Sequence, residues 1–338
     1  MNTSSHSKNS QFVAVLNAAI EHHRVCKRFG QAHKIEAARN SFSRFLALRL
    51  RPHLRVEELD SRLLQDYQDW LLGQSVTKNS SSCYMRTLQS IYRQAVDFVP
   101  GEQENPFARV YRGVAKTAKR AAAIESLRAI LRVDIRQGLV NLGKNPRHKT
   151  FKTMQHKLEF TRDLFIFSYC ARGMSFVDMV YLRKSDVNHG FITYARRKTG
   201  QWMNAKLVPI MASIVLRYAP EAARSLYLFP ILRATDEAEA YREYRSALRT
   251  YNGYLKLLAK MLGNGVVLTS YVARHSWASH MYQENAPLSV ISQGLGHDSE
   301  ATTLIYIKSL ETNVINKINE EFLNRVLLSP LFGEKDEK

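Results

Sequence analysis

Leu295-Gly-His297-Asp-Ser299-Glu-Ala-Thr-Thr303-Leu-Ile-Tyr306 is the stretch on which the reading of this chain turns. It sets a histidine nine residues before a tyrosine. Upstream lies Ser270-Tyr271-Val-Ala-Arg274-His275-Ser-Trp277, so an arginine, a histidine and a tyrosine follow one another in order. These side chains suit the holding and attack of a phosphodiester. A guanidinium is always charged and grips two oxygens at once. A lysine or histidine can give a leaving oxygen its proton. A tyrosine can form a phosphoryl bond that conserves the energy of the bond broken, although its usual pKa of about 10 means that it needs help to lose its proton.

Composition agrees with a polyanionic partner. The 338 residues predict two domains, and the hydrophobic fraction of 45% supplies real cores. Lys and Arg number 49 against 30 Asp and Glu, a formal charge of +19. Such an excess points to a polyanion, where each neutralised phosphate releases counterions, but by itself it would also fit a ribosomal or membrane-surface protein and fixes only the partner's class. Cys26, Cys83 and Cys170 are few, odd in number and far apart. They fit neither a disulfide framework nor a zinc site, and no metal or other cofactor is expected. Residues 1–10 are polar, read as a flexible N-terminus, and lack the apolar core of a signal peptide. No apolar run is long enough to span a bilayer. The expected location is cytoplasmic, beside the chromosome, with no membrane partner.

Working back from the motif, the hydrophobic period defines the elements. Val13, Leu16, Ala19 and Ile20 recur at helical spacing, as do Phe42, Phe45, Leu46 and Leu50. Leu63, Tyr67, Trp70 and Leu71 form a third stripe, and Tyr84, Leu88, Ile91, Tyr92 and Ala95 a fourth. Thr77-Lys-Asn-Ser-Ser before the last offers helix caps and phosphate-contacting donors. Four such helices predict a small bundle over 11–105. The breaker-rich Val99-Pro-Gly-Glu-Gln-Glu-Asn-Pro106 marks its end. Residues 106–122, with Arg109, Arg112, Lys116, Lys119 and Arg120, then read as a basic linker, either solvated or strapped across DNA.

A second domain is expected over 123–338. Thr161–Ala171 predicts a helix with Phe165 and Phe167 in the core, and Phe176, Met179, Val180 and Leu182 another. The period then changes to two: Phe191-Ile-Thr-Tyr-Ala and Ala205-Lys-Leu-Val-Pro flank Lys198-Thr-Gly200, which reads as a β-hairpin. From Ala212 the pattern is helical again. Its tail, Val314, Ile315, Ile318, Phe322, Val326 and Leu327, predicts an amphipathic helix able to pack on a neighbouring copy. The fold class is mainly α with one small β-sheet.

The order of an arginine, a lysine on a hairpin, a box ending in Arg274, Leu-Gly-His297 and Tyr306 resembles the tyrosine recombinase (phage integrase) family. The N-terminal bundle ending in Asn105-Pro106-Phe107 resembles that family's helical, SAM-like core-binding domain, and the second domain its α+β catalytic domain. The resemblance implies a metal-free site-specific recombinase or integrase that cuts and rejoins DNA through a 3′-phosphotyrosyl link. Tyr306 would be the nucleophile and Arg274 the phosphate clamp. Lys198 would protonate the 5′ oxygen, and His297 would contact the phosphate or assist the tyrosine. Two positions depart from the family pattern. Tyr271 stands where the family has histidine, its phenol still able to donate a hydrogen bond. Ser175 of Gly173-Met-Ser175-Phe-Val-Asp178 stands where it has arginine. Arg172 is the candidate replacement, in an Arg-Gly-Met-Ser-Phe arrangement found in a subgroup, with Arg183 and Arg196 in reserve; Asp178 would brace the site. The implied partners are double-stranded DNA with inverted-repeat core sites and three further copies in a synaptic tetramer, the free protein being monomeric. An accessory DNA-bending protein is a further expectation. A non-catalytic DNA-binding regulator and a type IB topoisomerase remain as alternatives.

Overall fold

The computed structural model describes residues 11–96, 105–115, 121–297 and 299–304. Tyr306, the first ten residues, most of the breaker-rich stretch and the apolar tail beyond Leu304 lie outside the described residues. The chain is mainly helical with one three-stranded sheet, and it divides into two compact units, 1–118 with 235–241 and 119–234 with 242–338. No described helix is long and apolar enough to cross a membrane.

The first unit is built on α1 (Phe12–Val25), α2 (Phe29–Leu48), α3 (Ser61–Gly73) and α4 (Lys78–Val96). The stripe residues Leu16, Ile20, Phe42, Phe45, Leu46, Leu63, Tyr67, Leu71, Leu88, Ile91 and Tyr92 form one buried cluster. Aromatic edges meet in it: Phe42 and Tyr67 lie 5.0 Å apart at 67°, and Phe12 stands edge-on to Phe42 at 6.0 Å. Asp60 caps α3 by accepting the Leu63 N–H at 2.7 Å. Leu50 departs from its predicted stripe. Helix α2 has already ended, and Leu50 turns outward at φ +57°, 89% exposed.

Residues 105–115 are docked on this bundle over their described length. Phe107 and Val110 enter its core, and Phe107 packs beside Tyr92 with ring centroids 5.7 Å apart. Two carboxamides each seize both backbone groups of one residue. Gln68 accepts the Tyr111 N–H at 2.8 Å and donates to its carbonyl at 3.1 Å. Asn79 does the same to Ala115, at 2.7 and 3.0 Å. Ser82 donates to the Gly113 carbonyl at 2.6 Å, and the Lys78 ammonium sits 4.3 Å from the Tyr111 ring centroid. The Thr77–Ser81 segment therefore spends Asn79 on the strap, while the Thr77 hydroxyl caps α4 through the Ser80 N–H.

The second unit contains α5 (Ile124–Arg132), α6 (Ile135–Asn141), α7 (Phe151–Cys170) and α8 (Phe176–Tyr181). Strands β1 (Val187–Asn188), β2 (Phe191–Ala195) and β3 (Trp202–Lys206) follow, then α9 (Pro209–Tyr218) and α10 (Glu237–Leu262). Helices α11 (Val272–Gln283), α12 (Leu288–Leu295) and α13 (Glu300–Leu304) complete the described chain. Helix α7 begins ten residues before the predicted Thr161. Its first turns bury only Phe151 and Leu158 among polar residues, and that leaves a weak periodic signal. Phe165 and Phe167 are fully buried, as expected. The sheet is antiparallel in the order β1-β2-β3, with Ala195 opposite Trp202 and Tyr194 opposite Met203. Its second hairpin strand starts at Trp202, earlier than the predicted Ala205, because Pro209 opens α9 with a φ already suited to a helix. Ile192 and Tyr194 on β2, and Met203 and Ala205 on β3, face inward.

Candidate active site

Arg274 is the centre around which three backbone turns close. It lies in the first turn of α11 and is 4% exposed. Its Nη1 donates to the Gly173 carbonyl at 3.0 Å and its Nη2 to the Leu295 carbonyl at 2.6 Å. The same Nη2 lies 3.0 Å from His297 Nε2. Since arginine can only donate, His297 Nε2 is the acceptor, which places the ring proton on Nδ1, 2.9 Å from Thr303 Oγ1. Burial first, then the charges of Arg274, Arg196 and Lys198, lower the His297 pKa to about 4. The imidazole is therefore neutral at neutral pH and a weak base.

Glycine makes both flanking turns possible. The chain leaves α7 through Arg172 at φ +57° and Gly173 at φ +69°. A Cβ on Gly173 would lie 2.6 Å from the Arg274 Cα, so only glycine lets this turn reach α11. Gly296 ends α12 in the left-handed region at φ 64°, and the His297 N–H closes back on the Ser292 carbonyl at 3.0 Å. A Cβ there would lie 2.6 Å from Met203 Sδ and 2.9 Å from Gln201 Oε1, so the hairpin and the Leu-Gly-His turn are pressed together.

The hairpin brings the remaining cations. Arg196, 8% exposed at the end of β2, donates from Nη1 to the Gly296 carbonyl. Its Nε is buried with no hydrogen-bond partner among the described residues. Lys198 is exposed in the turn, where its charge reaches His297. Asp178 fixes the base of the hairpin. It is 4% exposed, accepts the Arg197 N–H at 2.8 Å and accepts from the Ser175 hydroxyl at 2.6 Å. Ser175, at the arginine position of the family pattern, is thus a helix cap that orients Asp178. The Tyr194 hydroxyl senses the whole cluster: burial and then Asp178 push its pKa up, against the pull of Arg274, Arg196 and Arg172.

Of the six predicted site residues, Arg274 and His297 touch, and Lys198 lies within electrostatic reach of His297. Arg172 is exposed and lines a cavity of about 550 Å³ with Gln201, Trp202, Trp277 and Gln293. Tyr271 is the N-cap residue of α11, 48% exposed, with its ring 6.3 Å from that of His275. Tyr306 lies outside the described residues. Of the two reserves, Arg183 has its backbone bridged to Tyr227 and its N–H donating to Asp186 at 2.8 Å. Arg196 sits inside the cluster. Sequence reasoning did not find the carbonyls of Gly173 and Leu295 that hold Arg274, because backbone acceptors leave no mark on residue type.

Comparison with known proteins bears on family and fold. Residues 149–313 match the phage integrase family, and residues 2–103 match the phage integrase SAM-like domain. The tyrosine recombinase XerC of Chlorobaculum parvum is 24% identical over 265 residues, 75% of this chain and 74% of that protein. The tyrosine recombinase XerD of Pseudomonas aeruginosa is 24% identical over 285 residues, 80% of this chain and 85% of that one. Among solved structures, a lambda integrase dimer bound to a core site covers 89% of this chain and 78% of its own at TM-score 0.56 and 14% identity. The Tn1549 transposon integrase with a circular intermediate DNA covers 93% of this chain and 99% of its own at TM-score 0.59 and 11% identity. At those identities the structural likeness speaks for the fold. The chain belongs to the tyrosine recombinase (phage integrase) family and is a site-specific DNA recombinase.

Proposed function

We propose that the chain integrates, excises or inverts DNA by cutting and rejoining strands through a 3′-phosphotyrosyl intermediate on Tyr306, without a metal. The observation that carries this reading is the Arg274–His297–Arg196 cluster, a permanent positive charge locked in place by three backbone carbonyls. Such preset charge suits a phosphorane whose equatorial oxygens gain negative charge, and it costs no reorganisation when the reaction occurs. Arg274, with Arg172 or Arg196, holds the non-bridging oxygens. The Tyr306 phenol releases its proton to solvent water as its oxygen bonds to phosphorus and the bond to the 5′ oxygen breaks, and the Lys198 ammonium gives that oxygen its proton. Attack by a 5′ hydroxyl runs the sequence backwards and rejoins the strand. His297, with its lone pair on Arg274, orients the clamp, and Tyr271 donates to the phosphate.

Lambda integrase has been solved as a dimer on a core site and as a tetramer on a Holliday junction. By analogy we assign to this chain inverted-repeat core sites and a four-copy synapse assembled from monomers on chromosomal DNA in the cytoplasm, an accessory bending protein being optional. The decisive experiment offers the protein a nicked half-site of its cognate DNA with and without EDTA. A denaturant-stable adduct of equal yield in both is expected, whereas strict magnesium dependence would overturn the metal-free mechanism. Ser175 and Tyr271, at odds with the family pattern, favour one second reading, a DNA-binding regulator; absence of adduct on a genuine site would establish it.

The second phosphate clamp is testable by two variants. Arg196→Ala should lower both the melting temperature and the adduct rate, since Arg196 also anchors Gly296. Arg172→Ala should leave the melting temperature within about 1 °C, an exposed site being tolerant, while slowing the adduct on the order of 100-fold. An unchanged Arg172→Ala rate would leave Arg196 as the sole partner of Arg274.

A further inference from the structure

The first of the chain's crossings between the two units is pinned at both ends by side chains rather than left to the backbone. At its start Gln68 and Asn79 hold Tyr111 and Ala115, as described above. At its end the Ala122 N–H, 2% exposed, donates to the Ser276 hydroxyl at 2.8 Å. Ser276 in turn donates to the Val272 carbonyl one helical turn back, at 2.8 Å, so its hydroxyl is used in both directions. One turn further along α11, His280 hydrogen-bonds the backbone of Ala122 and meets the Tyr169 hydroxyl at 3.0 Å through Nδ1. Ser276 is fully buried and His280 is 7% exposed. Burial lowers the His280 pKa, against the Ala122 hydrogen bond and the charges of Glu125 and Glu284, which raise it. A neutral ring that donates to Ala122 from Nε2 and accepts from Tyr169 at Nδ1 fits these contacts.

The helix that receives the linker is the helix that carries Arg274. Ser276 is two residues beyond Arg274, and His280 lies on the same face as Ser276 at i+4. Only six residues separate the fastened Ala115 from the fastened Ala122. Arg274 itself must hold two carbonyls and His297 at once, so a small rotation of α11 would break its register.

We propose that Ser276 and His280 are positioning residues: by fastening the end of the linker to α11 they tie the placement of the phosphate clamp to the path of the chain arriving from the DNA-binding bundle. A substitution there acts on strand cleavage through Arg274 and leaves the affinity for DNA intact. The proposal rests on the strand-cleavage reading above.

The test measures adduct formation on saturating nicked half-site DNA, together with DNA affinity. Ser276→Ala leaves the buried Ala122 N–H without its acceptor and should slow cleavage about tenfold at unchanged affinity, the size expected for one orphaned donor. Ser276→Thr restores the hydroxyl and should restore the rate. Inserting four Gly/Ser residues between Arg120 and Ala121 should cause the same loss. With the linker already lengthened, Ser276→Ala should add nothing further, whereas a residue that merely supports α11 would slow that background as well. An additive effect, a normal rate in Ser276→Ala or a normal rate with the longer linker would each overturn the proposal. Should Ser276→Ala fail to fold, Gln68→Ala with Asn79→Ala, which frees the other anchor, must give the same cleavage defect or the idea fails. Absence of adduct with the unaltered protein would instead sink the cleavage reading itself.

Discussion

Tyr306→Phe is expected to abolish the covalent protein–DNA adduct while DNA affinity stays within about twofold, because the substitution removes one oxygen and no charge. Loss of a covalent nucleophile costs on the order of 10⁶ in rate, which places the variant below detection in a gel assay. The sixteen tyrosines of the chain make the control as informative as the variant. Two others belong to the cluster or its rim. Tyr194 is a poor nucleophile, since burial and Asp178 raise its pKa and hold the proton on the phenol. Tyr271 is 48% exposed at the start of α11, one helical turn from Arg274. Tyr271→Phe should therefore keep the adduct and lower its rate by about tenfold at most, the loss of one neutral hydrogen bond to phosphate. An adduct that survives Tyr306→Phe and disappears with Tyr271→Phe would exchange the two roles. Adduct yield on nicked half-sites, read by denaturing electrophoresis, decides between them.

The bundle was legible because its helices bury one stripe each, and a stripe is what sequence period records. Leu16, Phe42, Tyr67 and Leu88 are in the core that their spacing predicts. The pattern misleads where an apolar residue falls just past a helix end. Leu50 keeps the spacing of α2, but the chain has already turned and the side chain faces solvent. The strap over 105–115 was illegible for a different reason. Its basic residues read as a solvated or DNA-crossing linker, yet what fixes it is a set of backbone groups captured by Gln68, Asn79 and Ser82. A carboxamide on a helix surface has the same letter whether it meets water or a strap.

The site divides along the same line. Order and spacing single out Arg274, His297 and Lys198 as candidates; in the structure Arg274 touches His297, and the Lys198 charge reaches it. Spacing leaves Arg172, Arg183 and Arg196 open, because the approach of each side chain depends on backbone turns that spacing does not record. Gly173 lets the Arg172 turn press on α11, and Gly296 lets the hairpin bring Arg196 against the Leu-Gly-His turn. The carboxylate at Asp178 was read as a brace, and its partners are Ser175 and the Arg197 N–H. The serine at the family's arginine position is therefore employed in holding the lysine hairpin.

Arg274→Lys separates the charge of the clamp from its geometry and should slow adduct formation on the order of 100- to 1,000-fold. Three contacts orient the native guanidinium: the Gly173 carbonyl, the Leu295 carbonyl and His297 Nε2. A lysine keeps the positive charge, and its ammonium can reach one carbonyl, but it cannot span both and present a planar fork to a phosphate. The lost contacts also leave His297 Nε2 without its guanidinium donor, while burial, the main cause of its low pKa, is unchanged. Arg274→Ala goes further. It leaves two buried carbonyls unpaired and a void between α11 and the Gly173 turn, and it should cost about 3 kcal/mol of stability with no detectable adduct. Melting temperature and single-turnover cleavage at saturating DNA distinguish the two variants. If Arg274→Lys cleaves within tenfold of the unaltered protein, positive charge alone suffices and the three-carbonyl cradle around Arg274 and Arg196 is structural support only. If it melts normally but cleaves hundreds of times more slowly, the orientation of the guanidinium is what the surrounding turns exist to provide.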